Sequence, residues 1–183
     1  GDFGRLSSAS GMLTLRSVAE AEAEDAKFPD LMAWIRTIQA PKYPFPIDAT
    51  KAQAGAVVFA EHCERCHGTY AANAEQTDTY PNLLVDIDYV GTDKAMVESY
   101  QEQPEFLDWY NASWYATGTS GARLNQTNGY VAPPLDGIWA TAPYLHNASV
   151  PSLAVLLDSK LRPTFWKRSF GTEMVDYDQA AVG

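Results

Sequence analysis

The sequence predicts a mainly α fold in which short helices are separated by long loops. Three observations point there. Apolar residues recur at three- and four-residue spacing in several stretches, as one face of a helix requires. No alternating apolar and polar run exceeds a few residues, so no extended sheet is encoded. The 11 prolines and 12 glycines fall largely between the periodic stretches and punctuate them.

Taken in order, residues 1–27 are rich in Ser, Gly, Ala and Glu and weakly periodic, and read as an arm or as the end of a preceding region. Residues 28–183 then form the domain proper, consistent with a length of 183 residues that suits one good core. A first helix is predicted over 30–39, with Asp30 as its cap and Leu31, Trp34, Ile35 and Ile38 on one face. Pro41, Pro44 and Pro46 stop it and make an extended linker. Thr50 is placed to cap a second helix over 51–66, in which Gly55 is either a small residue at a helix crossing or a tolerated mid-helix glycine. A loop from Thr69 to Val85 leads to a third helix over 93–101, capped by Thr92, with Met96, Val97 and Tyr100 on one face. Residues 105–115 are dense in aromatics and can continue helical. After a polar, glycine-rich loop, Tyr130 to Asn147 carries prolines and rings at a density that makes a rigid irregular segment. A last helix over 151–158 has Pro151 at its first position and Leu153, Leu156 and Leu157 inward.

The chemistry concentrates at Cys63-Glu64-Arg65-Cys66-His67. A C-x-x-C-H run is the attachment signature of c-type haem: two thiols add to the vinyl groups, and the adjacent imidazole becomes the proximal ligand of the iron. Three residues apart on a helical turn, Cys63 and Cys66 share a face, with His67 next to turn its ring toward the metal. The competing uses of C-x-x-C fit less well. A zinc site needs a second ligand pair, and the chain has two cysteines only. A thioredoxin-like dithiol wants a preceding strand and a βαβ pattern. The expected cofactor is therefore one covalent haem c, and the expected fold a cytochrome c-like helical domain with long loops. The haem helix supplies one wall of such a pocket. The segment from Ala132 to Asn147 is expected to supply another, with Trp139, Tyr144 and His146 near the cofactor.

Charge and hydropathy narrow the partners. With 13 basic and 23 acidic side chains the formal charge is −10, which argues against nucleic acid because nothing would neutralise phosphates. It suits steering of a basic redox partner protein or another haem subunit. No run of 18 apolar residues exists, so no membrane span is expected. Covalent haem attachment takes place outside the cytoplasm, which makes a periplasmic or extracellular location the expectation, with any leader already removed.

Further residues carry a family resemblance. Pro44-Phe45-Pro46-Ile47, Cys63 to Gly68, Tyr80-Pro81-Asn82, Gly91-Thr92-Asp93, and Ala132-Pro133-Pro134-Leu135-Asp136-Gly137-Ile138-Trp139 running into Ala142-Pro143-Tyr144-Leu145-His146-Asn147 together resemble the C-terminal half of dihaem cytochromes. The similarity is to the rubber-oxygenase-like proteins and, more distantly, to the bacterial dihaem cytochrome c peroxidases, over residues 30–183. It implies an electron-transfer haem module. It also implies that the catalytic haem of such proteins belongs to an N-terminal half with its own C-x-x-C-H, whereas this sequence has one. The group also continues into a Gly-His-Glu segment that does not follow Gly183. The chain is thus expected to be one piece of a longer dihaem polypeptide or a one-haem relative.

The second axial position has several candidates: Met174, Met96, His146, Met12, Met32 and His62. His62 adjoins Cys63 and cannot easily reach the opposite face; Met96, Met12 and Met32 read as helix or arm residues. Met174 lies in a plausible loop. For His146, hydrogen bonding beside the haem is preferred to ligation, because its counterpart in the peroxidase relatives does not bind iron. Two functions follow. One is electron transfer, as half of a dihaem protein or as a subunit of a redox assembly. The other is a haem oxidoreductase that activates peroxide or dioxygen at an open position, with Arg123, Glu173 or Asp136 as distal groups.

Overall fold

The computed structural model describes residues 17–71, 77–117, 121–168, 171 and 173–183. Among these the chain is mostly helical, with one sheet of two short strands. It divides into two compact units, each discontinuous in sequence: residues 1–39 with 86–129, and 40–85 with 130–183.

The first unit contains α1 (Val18–Asp25), α2 (Phe28–Ile35), α5 (Ile87–Val90), α6 (Ala95–Gln101) and α7 (Pro104–Ala112). Helix α1 lies in the stretch whose weak periodicity suggested only an arm. Its start is nevertheless encoded locally, because the Ser17 side chain accepts the Glu20 amide. Helix α2 begins two residues earlier than its pattern suggests, with Pro29 in its first turn and no side-chain cap, so Asp30 is a first-turn acid and not the cap. Its apolar face stays open: Leu31, Trp34, Ile35 and Ile38 are all exposed. The unit's core forms where α7 runs into the next loop, and Tyr110 is buried there with Ala116 against Tyr115 and Leu124. Asn111 clamps that loop, accepting the Leu124 amide at 2.9 Å and donating to its carbonyl at 2.8 Å.

The second unit carries α3 (Ala49–His62), α4 (Glu64–His67) and α8 (Leu153–Leu157). The cap of α3 is Asp48, whose Oδ1 accepts the amides of Thr50 and Lys51 at 3.0 and 3.1 Å. Thr50 therefore lies inside the helix. Gly55 is exposed, and a Cβ there would meet nothing within 4 Å. It is a tolerated mid-helix glycine and marks no crossing among the described residues. In the first unit, Asp93 and not Thr92 accepts an amide at the start of α6, that of Ala95. Pro151 precedes α8 and does not hold its first position; Ser152 caps the helix by accepting the Val155 amide.

The two paired strands, β1 (Leu84–Asp86) and β2 (Gly129–Val131), mark where the chain leaves the second unit and returns to it. At three residues each, they are too short to leave an alternating signature. The second unit buries Tyr144 and Val150, which pair as an isolated antiparallel bridge. Its C-terminal residues close over α8, since Ala181 and Val182 accept the amides of Ala154 and Leu153.

Candidate haem-attachment site

The helix that carries the C-x-x-C-H run is interrupted within the run. Helix α3 stops at His62, Cys63 takes φ −120°, and α4 restarts at Glu64. The Cys63 carbonyl accepts from both Cys66 and His67, at 3.1 and 3.0 Å. Cys63 and Cys66 therefore share one tight turn. Both are free thiols and both are partly buried.

His67 is held at its ring. Its Nδ1 lies 2.9 Å from the Pro133 carbonyl. A carbonyl oxygen can only accept, so Nδ1 carries the proton, and in the neutral ring the Nε2 lone pair is left for a metal. A carbonyl behind the imidazole is the usual device that orients a metal-binding histidine and raises its basicity. Two thiols on one turn beside an imidazole with its outer nitrogen available form the donor set that covalent haem requires, and the residues present fit the group. By contrast, no cluster of three His, Cys, Asp or Glu side chains suited to a bare metal ion occurs among the described residues.

After the run the chain turns on Gly68. Its φ is +84°, and a Cβ would overlap the carbonyl of Thr79 and press on Pro81. Thr69 and Thr79 clasp the ensuing loop: the Thr79 amide reaches the Thr69 carbonyl at 3.1 Å, and the Thr69 amide donates to the Thr79 hydroxyl at 3.0 Å. Gly68 and Tyr80-Pro81 thus lie together. Tyr70 then reaches both sides of the site. Its hydroxyl donates to the His67 carbonyl at 3.0 Å and accepts the Leu135 amide at 2.6 Å. Burial raises the Tyr70 phenol above its ordinary value, while the Leu135 amide works against that rise and the carboxylates of Asp136 and Asp78 add to it. Tyr80, edge-on to Tyr70 at 6.2 Å, is pushed up to about 12 by partial desolvation and by the carboxylates of Asp136 and Asp78.

The segment 132–147 is irregular apart from a 3₁₀ turn, Ile138–Ala140, and through Pro133 it reaches His67. Its rings are placed as follows. The Trp139 indole donates to the Pro41 carbonyl at 2.8 Å and packs edge-on against Tyr43 and Tyr177. Gly137, at φ +67°, leaves no room for a side chain beside Pro41. These contacts pin the proline linker to Gly137 and Trp139. Tyr144 is buried, and its hydroxyl donates to the Ile138 carbonyl at 3.0 Å; burial raises its phenol. His146 is exposed and stacks on Tyr130, with centroids 5.0 Å apart. Met174 opens a 3₁₀ turn, Met174–Asp176, and its side chain lies outside the described residues, as does Met12.

Sequence reasoning passed over Tyr70 and the Pro133 carbonyl. No spacing rule marks a backbone oxygen 66 positions away, and a tyrosine three residues past the histidine reads as loop. The available signal was the Pro-Pro pair, which freezes a carbonyl in place without offering an amide of its own.

Residues 129–167 match the family described as RoxA-like, cytochrome c-like. That segment contains Pro133, Trp139, Tyr144 and His146 and lies apart in sequence from the C-x-x-C-H run. The chain is also similar to two uncharacterized proteins of Sinorhizobium fredii. It is 30% identical to y4iJ over 181 residues, covering 72% of this chain and 30% of that protein. It is 30% identical to y4iM over 164 residues, covering 77% of this chain and 35% of that protein. The chain spans about a third of the length of these curated relatives.

Proposed function

We infer that this chain, which carries a RoxA-like, cytochrome c-like domain sequence across residues 129–167, is a c-type cytochrome module whose role is electron transfer. Cys63 and Cys66 hold one haem c by thioether bonds, and His67 is the proximal ligand through Nε2. The haem, when bound, supplies a one-electron iron couple. The observation that carries the reading is the bond from His67 Nδ1 to the Pro133 carbonyl. It ties the attachment run to the matched segment and gives the histidine the tautomer a metal needs.

The chain's own residues do the rest. Gly68 and the Thr69–Thr79 clasp end the attachment turn at a fixed angle. Trp139 and Tyr144 hold the wall segment, and His146 lies in that same segment, where a hydrogen bond to the cofactor's edge is its proposed role. Met174 would supply a second ligand to the iron, or that ligand would come from elsewhere in a longer assembly. The module works outside the cytoplasm, as half of a dihaem protein or as a subunit that meets another haem protein. No helix among the described residues is long and apolar enough to cross a membrane.

The test is expression with a haem-attachment system, followed by acid-acetone extraction. Haem should remain with the polypeptide, and Cys63→Ala with Cys66→Ala should release it. Extraction of all haem from the unmutated chain overturns the attachment. Rapid turnover of peroxide by the reduced protein overturns the electron-transfer role in favour of an activating haem.

A further inference from the structure

We propose that Tyr70 is a positioning residue for His67: its hydroxyl fastens the Pro133–Leu135 strap to the backbone of His67 and so keeps the Pro133 carbonyl on Nδ1. The proposal rests on reading His67 as an axial ligand.

Two residues in that strap, Pro133 and Pro134, have no backbone N–H. Upstream, the Ala132 amide is tied to the Leu83 carbonyl at 2.9 Å; downstream, the first amide able to tether the Pro133 carbonyl is that of Leu135. It donates to the Tyr70 hydroxyl at 2.6 Å. The same hydroxyl spends its own proton on the His67 carbonyl at 3.0 Å, so one oxygen joins both partners of the His67–Pro133 bond. A closed ring of contacts results: imidazole to Pro133, Pro133 along the strap to Leu135, Leu135 to Tyr70, and Tyr70 back to the histidine's own backbone. Phe59 and Tyr80 pack edge-on against the Tyr70 ring at 5.8 and 6.2 Å and hold it there. Hydrogen bonding at Nδ1 sets the basicity of a histidine ligand, and ligand strength sets the potential of the iron it holds. A loosened strap weakens the Nδ1 bond and the donation to iron, which favours the reduced state.

The experiment compares haem-loaded full chain with its Tyr70→Phe and Ser113→Ala variants. Ser113 gives up a similar hydroxyl bond, to the Tyr110 carbonyl at 2.6 Å in the first unit, and serves as the control for loosening in general. Tyr70→Phe should raise the midpoint potential, so that at fixed ambient potential the oxidised-to-reduced ratio falls about three- to tenfold; tenfold is about 59 mV for one electron. The iron–imidazole stretch of the reduced protein should fall in frequency. Ser113→Ala should change neither. In the unmutated protein, the Leu135 amide should be protected from hydrogen exchange, a readout that stands even where Tyr70→Phe fails to fold. Unchanged potential and stretch with haem attached, or an unprotected Leu135 amide, overturns the positioning role. Absence of attached haem instead overturns the proposed function, and the exchange measurement still decides on the strap.

Discussion

At Gly68 the backbone requirement and the space requirement coincide, because φ is +84° and the Thr79 carbonyl occupies the place of a side chain. Gly91 offers the comparison, with φ +66° and nothing within 4 Å of a Cβ. Gly91→Ala should cost about 1–2 kcal/mol, the ordinary penalty of left-handed backbone. Gly68→Ala should cost at least that and up to about 3 kcal/mol, with the clasp disturbed. Denaturant unfolding of both variants checks this; equal losses would mean that the Thr69–Thr79 clasp yields freely. Tyr80 gives the corresponding pH dependence. Its folded-state value is raised, so the native state holds the proton more tightly. The stability it contributes is complete below about 10 and is lost as pH rises toward about 12. Unfolding measured across that window should show the decline in the wild type, and Tyr80→Phe should flatten it. Asp136→Asn should move the tyrosinate absorbance of Tyr80 to lower pH. The thiols and His67 were legible as a candidate site because their chemistry is packed into five consecutive residues. Pro133 and Tyr70 were not, because what they contribute is a carbonyl and a hydroxyl whose roles depend on how the chain returns.

At the scale of elements, the helices were legible and their ends were less so. Periodicity places α2, α3, α6 and α8 within a few residues, since it records which face is apolar and not where the turn begins. Asp48 and Thr50 are both good caps. The extended backbone at Asp48, with ψ 103°, decides between them. Asp48→Ala should therefore destabilise by about 1 kcal/mol, whereas Thr50→Ala should be close to neutral; thermal unfolding followed by helical circular dichroism separates the two. The effect should be easy to see, because α3 buries no side chain and depends more than usual on its local interactions. The ion pair of Lys51 with Asp48, at 4.0 Å and exposed, adds little. The break at Cys63 left no mark in the sequence, since the helical pattern continues through it.

For the whole molecule, net charge is the property most directly read from composition. A formal charge of −10 should make encounter with a basic redox partner fast at low salt. The rate should fall steeply as the screening length shortens to about 10 Å near 0.1 M. Stopped-flow electron transfer against ionic strength checks it, and a salt-independent rate would rule out steering. The two compact units were less legible. Each is assembled from two separate stretches of chain, and local pattern carries no information about which distant stretches pair.

The bond between His67 and Pro133 also has a meaning in time. Its partners are 66 residues apart. During synthesis residues 63–67 emerge well before Pro133 does. Closing so long a loop carries an entropic cost that grows with the logarithm of its length. Until that loop closes, the histidine can still exchange its proton between nitrogens. Fixing of the tautomer waits on the return of Pro133, and in the proposed haem module it would be a step separable from attachment at the thiols.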